Sequence, residues 1–134
     1  MAGPFQRDAV LARSPQQILF EARNVDMTVL GDTVMIKVFS GSLYRCISGV
    51  ALRKTGAFNT TCNASIGNAA AGAATLYVNS VNLTSLTGAN SIQALTIVNN
   101  TVLSYTTVPV YLDVLATNGA ALTADFFVYG FVLD

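Results

Sequence analysis

Apolar and polar positions alternate every second residue along most of this chain, the period of an extended strand whose side chains point to opposite faces in turn. In Thr33-Val-Met-Ile-Lys-Val-Phe39, Val34, Ile36 and Val38 share one face, while Met35, Lys37 and Phe39 share the other. A Gly31-Asp32 turn leads in. Ser40-Gly41-Ser42 leads out into a long strand over residues 43–53, with Gly49 as a bulge, so the pair predicts a hairpin. Further strands are predicted over residues 58–66, 76–83, 92–98, 101–105 and 108–115. The phase slips at Ser80, where Val78 and Val81 fall on opposite faces, which predicts a bend. Pro109 confines its end of residues 108–115 to an edge or a strand start. Asn118-Gly119 predicts a hairpin into the last strand, Ala124-Asp-Phe-Phe-Val-Tyr-Gly-Phe-Val-Leu133, which is apolar on both faces.

Residues 1–26 are built differently, with Ser14-Pro15-Gln16-Gln17 carrying the pattern of a helix start. The same stretch serves equally as an extended arm laid against a neighbour, because a helix this short is marginal without packing. Residues 67–74, rich in Ala with Gly67 and Gly72, are expected to be a loop crossing between sheets. The expected architecture is all-β: an antiparallel sandwich of jelly-roll type over residues 27–134, preceded by an N-terminal arm over residues 1–26.

Charge sharpens this picture. Six of the fourteen charged residues lie within residues 1–26, whereas residues 55–112 contain no Asp, Glu, Lys or Arg. An average soluble domain places a charge at roughly one position in four, so a surface built from that middle is easiest to explain if part of it faces another protein. Seven positive and seven negative residues leave no net charge, which disfavours nucleic acid and anionic membranes as partners. No apolar run reaches the roughly 18 residues of a membrane-spanning helix, and the first residues lack the continuous apolar stretch of a secretory signal.

The chemistry available is sparse. Histidine is absent, which removes the commonest proton-transfer group and metal ligand. Cys46 and Cys62 cannot complete a tetrahedral zinc site by themselves, and read either as buried free thiols or as a disulfide. Among the acids only Asp113 and Asp125 are placed to meet, across the Asn118-Gly119 turn, where two solvated charges are the simpler expectation than a hydrolase pair. No nucleophile elbow or phosphate loop occurs. No catalytic, cofactor-binding or metal-binding residue is therefore expected, no small-molecule substrate, and no enzyme. Arg45, Arg53, Lys54 and Lys37 form either a small basic patch or a charged sheet edge that discourages edge-to-edge pairing.

Asn24-Val-Asp-Met27, Asp32-Thr-Val-Met-Ile-Lys-Val38, Tyr44-Arg-Cys-Ile-Ser-Gly-Val-Ala-Leu-Arg-Lys-Thr55 and the closing Ala124-Asp-Phe-Phe-Val-Tyr-Gly-Phe131 together resemble the small jelly-roll structural proteins of tailed bacteriophages, among them capsid decoration or cement proteins. The resemblance is one of strands and turns over residues 24–134, and the chain departs from it at Phe39-Ser-Gly-Ser42. It implies a homotrimer on the outer surface of the virion, made in the host cytoplasm, that clamps neighbouring subunits of a major capsid protein. Phe5, Arg7, Arg13, Phe20 and Arg23 are the arm residues expected to bind that partner, and Phe127, Tyr129 and Phe131 the expected protomer interface. The alternative is a carbohydrate-binding attachment module of a tail fibre or baseplate, with Tyr77 and Tyr111 stacking on sugar.

Overall fold

The computed structural model describes residues 16–69 and 76–134. Among the described residues ten strands run in the order β1 (Gln17–Asp26), β2 (Gly31–Val34), β3 (Ile36–Lys37), β4 (Leu43–Gly56), β5 (Asn63–Gly67), β6 (Leu76–Asn82), β7 (Ile92–Leu95), β8 (Leu103–Ser104), β9 (Tyr111–Ala116) and β10 (Leu122–Val132). No helix occurs among the described residues. The strands form two antiparallel sheets, one ordered β3-β1-β10-β4-β7 with β8 also on β4, the other β2-β9-β5-β6. The fold is an all-β sandwich, as expected.

The core is the set of inward positions that alternation assigns. On β10, Leu122, Ala124, Phe126 and Val128 are buried between the layers, facing Ile66, Leu112 and Val114 of the other sheet within one hydrophobic cluster. Closely packed aliphatic and aromatic groups of this kind supply most of the folding free energy. At one end, Phe20, Phe39, Tyr44, Tyr77 and Tyr105 form a ring cluster with centroids 5.3–6.5 Å apart. Inside it the Tyr44 and Tyr77 hydroxyls share a hydrogen bond of 2.6 Å. The Lys37 ammonium closes it from outside, 4.3 Å from the Phe39 ring and 5.0 Å from the Tyr105 ring.

Several expectations are corrected. Residues 17–26 are neither a helix nor an arm reaching out to a neighbour: Gln17–Asp26 is strand β1, paired with β10 on one side and β3 on the other. The two-residue apolar rhythm there outweighs the capping pattern, because pairing satisfies its backbone and buries Leu19, Phe20, Ala22 and Val25. The sandwich therefore begins by Gln17, ten residues before the expected boundary at 27 (27 − 17 = 10). The predicted hairpin between residues 33–39 and 43–53 does not form, since the chain changes sheets at Met35. Thus β2 pairs with β9, β3 with β1, and β4 with β10, β7 and β8.

Asn118-Gly119 likewise joins strands of different sheets. The Asn118 side chain is a buried clasp: its oxygen accepts from Asn59 N at 2.7 Å, and its amide donates to Ala57 O at 2.8 Å and Ala120 O at 2.6 Å. The slip at Ser80 is present as a left-handed residue with φ 46°, its N–H donating to Ser65 Oγ at 2.8 Å. Strand β4 has two irregularities against β10, at Lys54 between the Thr55–Thr123 and Arg53–Ala124 pairs and at Ile47 between the Ser48–Tyr129 and Cys46–Gly130 pairs, whereas Gly49 is paired with Val128. Most of the expected loop over residues 67–74 lies outside the described residues.

Candidate interaction surface

On β10 the even-numbered residues face the core, which turns Asp125, Phe127, Tyr129 and Phe131 to the outer face of the six-stranded sheet. Register places Phe127 opposite Val50 and Glu21, Tyr129 opposite Ser48 and Ile18, and Phe131 opposite Arg45. Leu52 stands beside Asp125, and Ile92 beside Leu52. An aromatic and aliphatic stripe thus crosses the middle of the sheet on the side away from the core. Cross-strand neighbours at this spacing stabilise the sheet even where water reaches them.

The stripe is unevenly covered. Phe127 is only 5% exposed; the Arg23 guanidinium lies 5.1 Å from its ring centre, held by Glu21 through an Nε to Oε2 hydrogen bond of 3.1 Å. Tyr129 packs tilted against Phe127 with centroids 6.4 Å apart, and both it and Phe131 remain partly open. Beside them Asp125 is nearly buried, accepting from Asn24 N at 2.7 Å and lying 3.5 Å from Lys54 Nζ. Asn24 takes φ 55° to deliver that N–H, a backbone state Asn tolerates better than most residues.

The three expected interface residues are therefore brought onto one face, with Phe127 already largely covered by its own chain. Of the expected arm residues, Arg23 joins that same face and Phe20 is a fully buried core residue in the ring cluster. Phe5, Arg7 and Arg13 lie outside the described residues. Val50, Leu52 and Ile92, which also line the stripe, were not singled out from sequence. The β4 bulge at Ile47 shifts their phase relative to the strand's start, and only pairing reveals it.

The remaining candidates scatter. Asp113 and Asp125 do not meet: they lie on opposite sheets, and both are nearly buried rather than the solvated charges expected, Asp113 in register with Asp32 and Ser65. Lys37 is at the β3 edge, far in strand order from Arg45, Arg53 and Lys54 on β4, so no four-residue basic patch assembles. Cys46 and Cys62 are buried free thiols, and burial pushes them up to about 12 and about 11, away from the thiolate that redox or metal chemistry uses. Tyr44 and Tyr77 are buried and raised by the same desolvation, which takes Tyr77 out of reach of any sugar. No group of three His, Cys, Asp or Glu side chains that could hold a metal ion occurs among the described residues. Comparison with known proteins gives no family, curated protein or solved structure that matches the chain.

Proposed function

We propose that this chain is a virion structural protein of the capsid decoration type: a jelly-roll sandwich that assembles as a homotrimer on a phage head and braces neighbouring major capsid subunits. The observation that carries the reading is the outer face of the six-stranded sheet, where Phe127, Tyr129 and Phe131 stand with Ile18, Val50, Leu52 and Ile92 around them. An antiparallel sheet that faced only water would carry polar side chains there. A contiguous apolar stripe rimmed by Arg23, Glu21, Arg45 and Lys54 is the composition of a protein interface, with an aromatic centre and a polar rim.

Because Phe127 is already covered within the protomer, the stripe suits the shell better than a contact between copies. The Gln16 side chain accepts from Ser48 Oγ at 3.1 Å, which places Gln16 on this same face, next to the Ser48–Tyr129 pair. The test mixes purified protein with heads that lack it and measures co-sedimentation, for the full chain, for a truncation ending at Pro15, and for Phe131→Glu. Loss of binding in Phe131→Glu, with the fold retained by circular dichroism, is the expected result. Full-strength binding by both variants overturns the reading.

A further inference from the structure

Asn is followed by Gly at one place in the sequence, Asn118-Gly119, and that pair carries chemistry of its own. With no side chain on Gly119 to shield it, the Gly119 backbone nitrogen is the least hindered nucleophile that a preceding Asn side chain can meet. In deamidation it attacks Asn118 Cγ: the Gly119 N–Cγ bond forms, the Cγ–Nδ2 bond breaks, and the amide nitrogen leaves as ammonia with the proton that Gly119 N gave up. The five-membered succinimide left behind takes up water. It opens on one side to aspartate and on the other to isoaspartate, whose main chain is rerouted through the former side chain. Water is the one reagent consumed, and nothing is oxidised or reduced.

The fold stops this reaction at its first step. Asn118 is 4% exposed, although Gly119 and Ala120 beside it are open to water. Its Oδ1 accepts from Asn59 N at 2.7 Å, and its Nδ2 donates to Ala57 O at 2.8 Å and to Ala120 O at 2.6 Å. Its own N–H donates to Met27 O at 2.8 Å, so main chain and side chain are both fixed. Attack requires Cγ to turn towards Gly119 N and the leaving nitrogen to release two carbonyls, so the clasp must open before the new bond forms. That opening lifts residues 57–59 away from residues 118–120, and its free energy sets how often it happens. The glycine belongs to the same device, since a Cβ on it would come within 2.9 Å of Asn59 Nδ2.

We infer that Asn118-Gly119 is a self-modifying site which the closed clasp holds latent, and that deamidation there leaves the clasp permanently open. Donors and acceptors decide the second half. An aspartate at position 118 puts an oxygen where Nδ2 stood, against the two carbonyls that Nδ2 meets at 2.6 and 2.8 Å. Acceptor then faces two acceptors, and a charge sits in a site closed to water. Isoaspartate adds a methylene to the main chain at the same point and draws the side-chain group away from its partners. The clasp ties the segment leaving β4 to the connection between β9 and β10, where Ala57 N donates to Ala121 O and Met27 N to Leu122 O. Its loss therefore loosens the start of β10. A copy that opens long enough to react does not close again, whereas a copy that stays shut keeps Asn118.

The test holds the full-length protein at pH 8 with and without unfolding urea and follows position 118 by peptide mass spectrometry, which reads the exchange of an amide for an acid. Conversion in the folded protein is expected to be at least about a hundredfold slower than in urea, in proportion to the fraction of time the clasp is open. Gly119→Ala, compared with the wild type in urea alone so that folding plays no part, is expected to convert far more slowly. Protein converted in urea and returned to buffer is expected to unfold at a lower urea concentration than unconverted protein treated briefly in the same way, or not to refold, and Asn118→Asp to behave alike. Equal rates in the folded and unfolded protein overturn the latent site. Equal rates for Gly119→Ala and wild type in urea overturn the assignment of Gly119 N as nucleophile. Converted protein or Asn118→Asp with an unchanged urea midpoint overturns the permanent opening.

Discussion

Two aromatic groups on this sandwich are each covered by a cation, and they have opposite fates. Inside, Phe20, Phe39, Tyr44, Tyr77 and Tyr105 pack edge to face and Lys37 closes the cluster. Outside, Phe127, Tyr129 and Phe131 line a strand, and Arg23 covers only the first of them. The inner group draws rings from β1, β4, β6 and the segments around them, so Phe20, Phe39, Tyr44 and Tyr77 are buried and Tyr105 alone of the five stays partly open. The outer group comes from one strand, whose rings stand side by side with no second layer above. Burial of an aromatic residue thus follows from how many elements converge on it, which local sequence does not record.

The sharpest way to break the comparison is to disturb what separates the two faces. Gly130 sits in β10 where an added Cβ would overlap the Arg45 carbonyl and come within 2.8 Å of Leu19 Cδ1. Gly130→Ala is therefore expected to part β10 from β4 and to cost well over 3 kcal/mol, or prevent folding, by urea denaturation. Phe20→Ala is expected to cost about 3–5 kcal/mol as a buried ring lost to a cavity. Phe131→Ala, at a half-open site, should cost roughly 1 kcal/mol or less in the same assay. Similar losses from the two would dissolve the distinction between inner and outer rings.

Tyr77→Phe is expected to cost about 1–2 kcal/mol, because it strands the buried Tyr44 hydroxyl without its 2.6 Å partner. Thiol chemistry reports on the same interior. Cys46 and Cys62 should resist a thiol reagent at pH 8 in the folded protein and react together on unfolding, since burial raises both. The smallest effect concerns Asp134, whose carboxylate accepts from Ser42 N, Ser42 Oγ and Leu43 N at 2.8–3.0 Å and is held below its ordinary value by them. A depressed folded-state pKa adds stability above the unfolded value near 4 and loses it as pH falls through the folded one. Asp134→Asn should then lower the Tm slightly at pH 7, by an amount that shrinks as the pH falls below 4.

Much of the fold was legible because alternation is a local property. The inward and outward sets of β10 follow from counting, as does the bend at Ser80. What alternation does not carry is which strand pairs with which. Residues 33–39 look like one strand, yet Met35 turns inward with its N–H donating to Val110 O at 2.7 Å, and the two halves belong to different sheets. Asn118-Gly119 carries the letters of a tight hairpin, but its Asn is consumed in bonds to Ala57, Asn59 and Ala120 that lie far apart in sequence or across the turn. For the candidate surface, its aromatic row was visible and its aliphatic flank was not. Val50, Leu52 and Ile92 acquire their place only through register with β10 and with each other.

The position of β10 has a consequence for how the chain reaches this state. It lies between β1 and β4, so the six-stranded sheet has no middle until residues 122–132 have left the ribosome. Before then β1 and β4 each present an unpaired side, with Phe20 and Tyr44 uncovered. Such non-local pairing is slow, and the waiting strands are open to wrong partners. Synthesis of this protein is thus a race in which the last eleven-residue strand decides whether the nascent sheet closes on itself or on its neighbours.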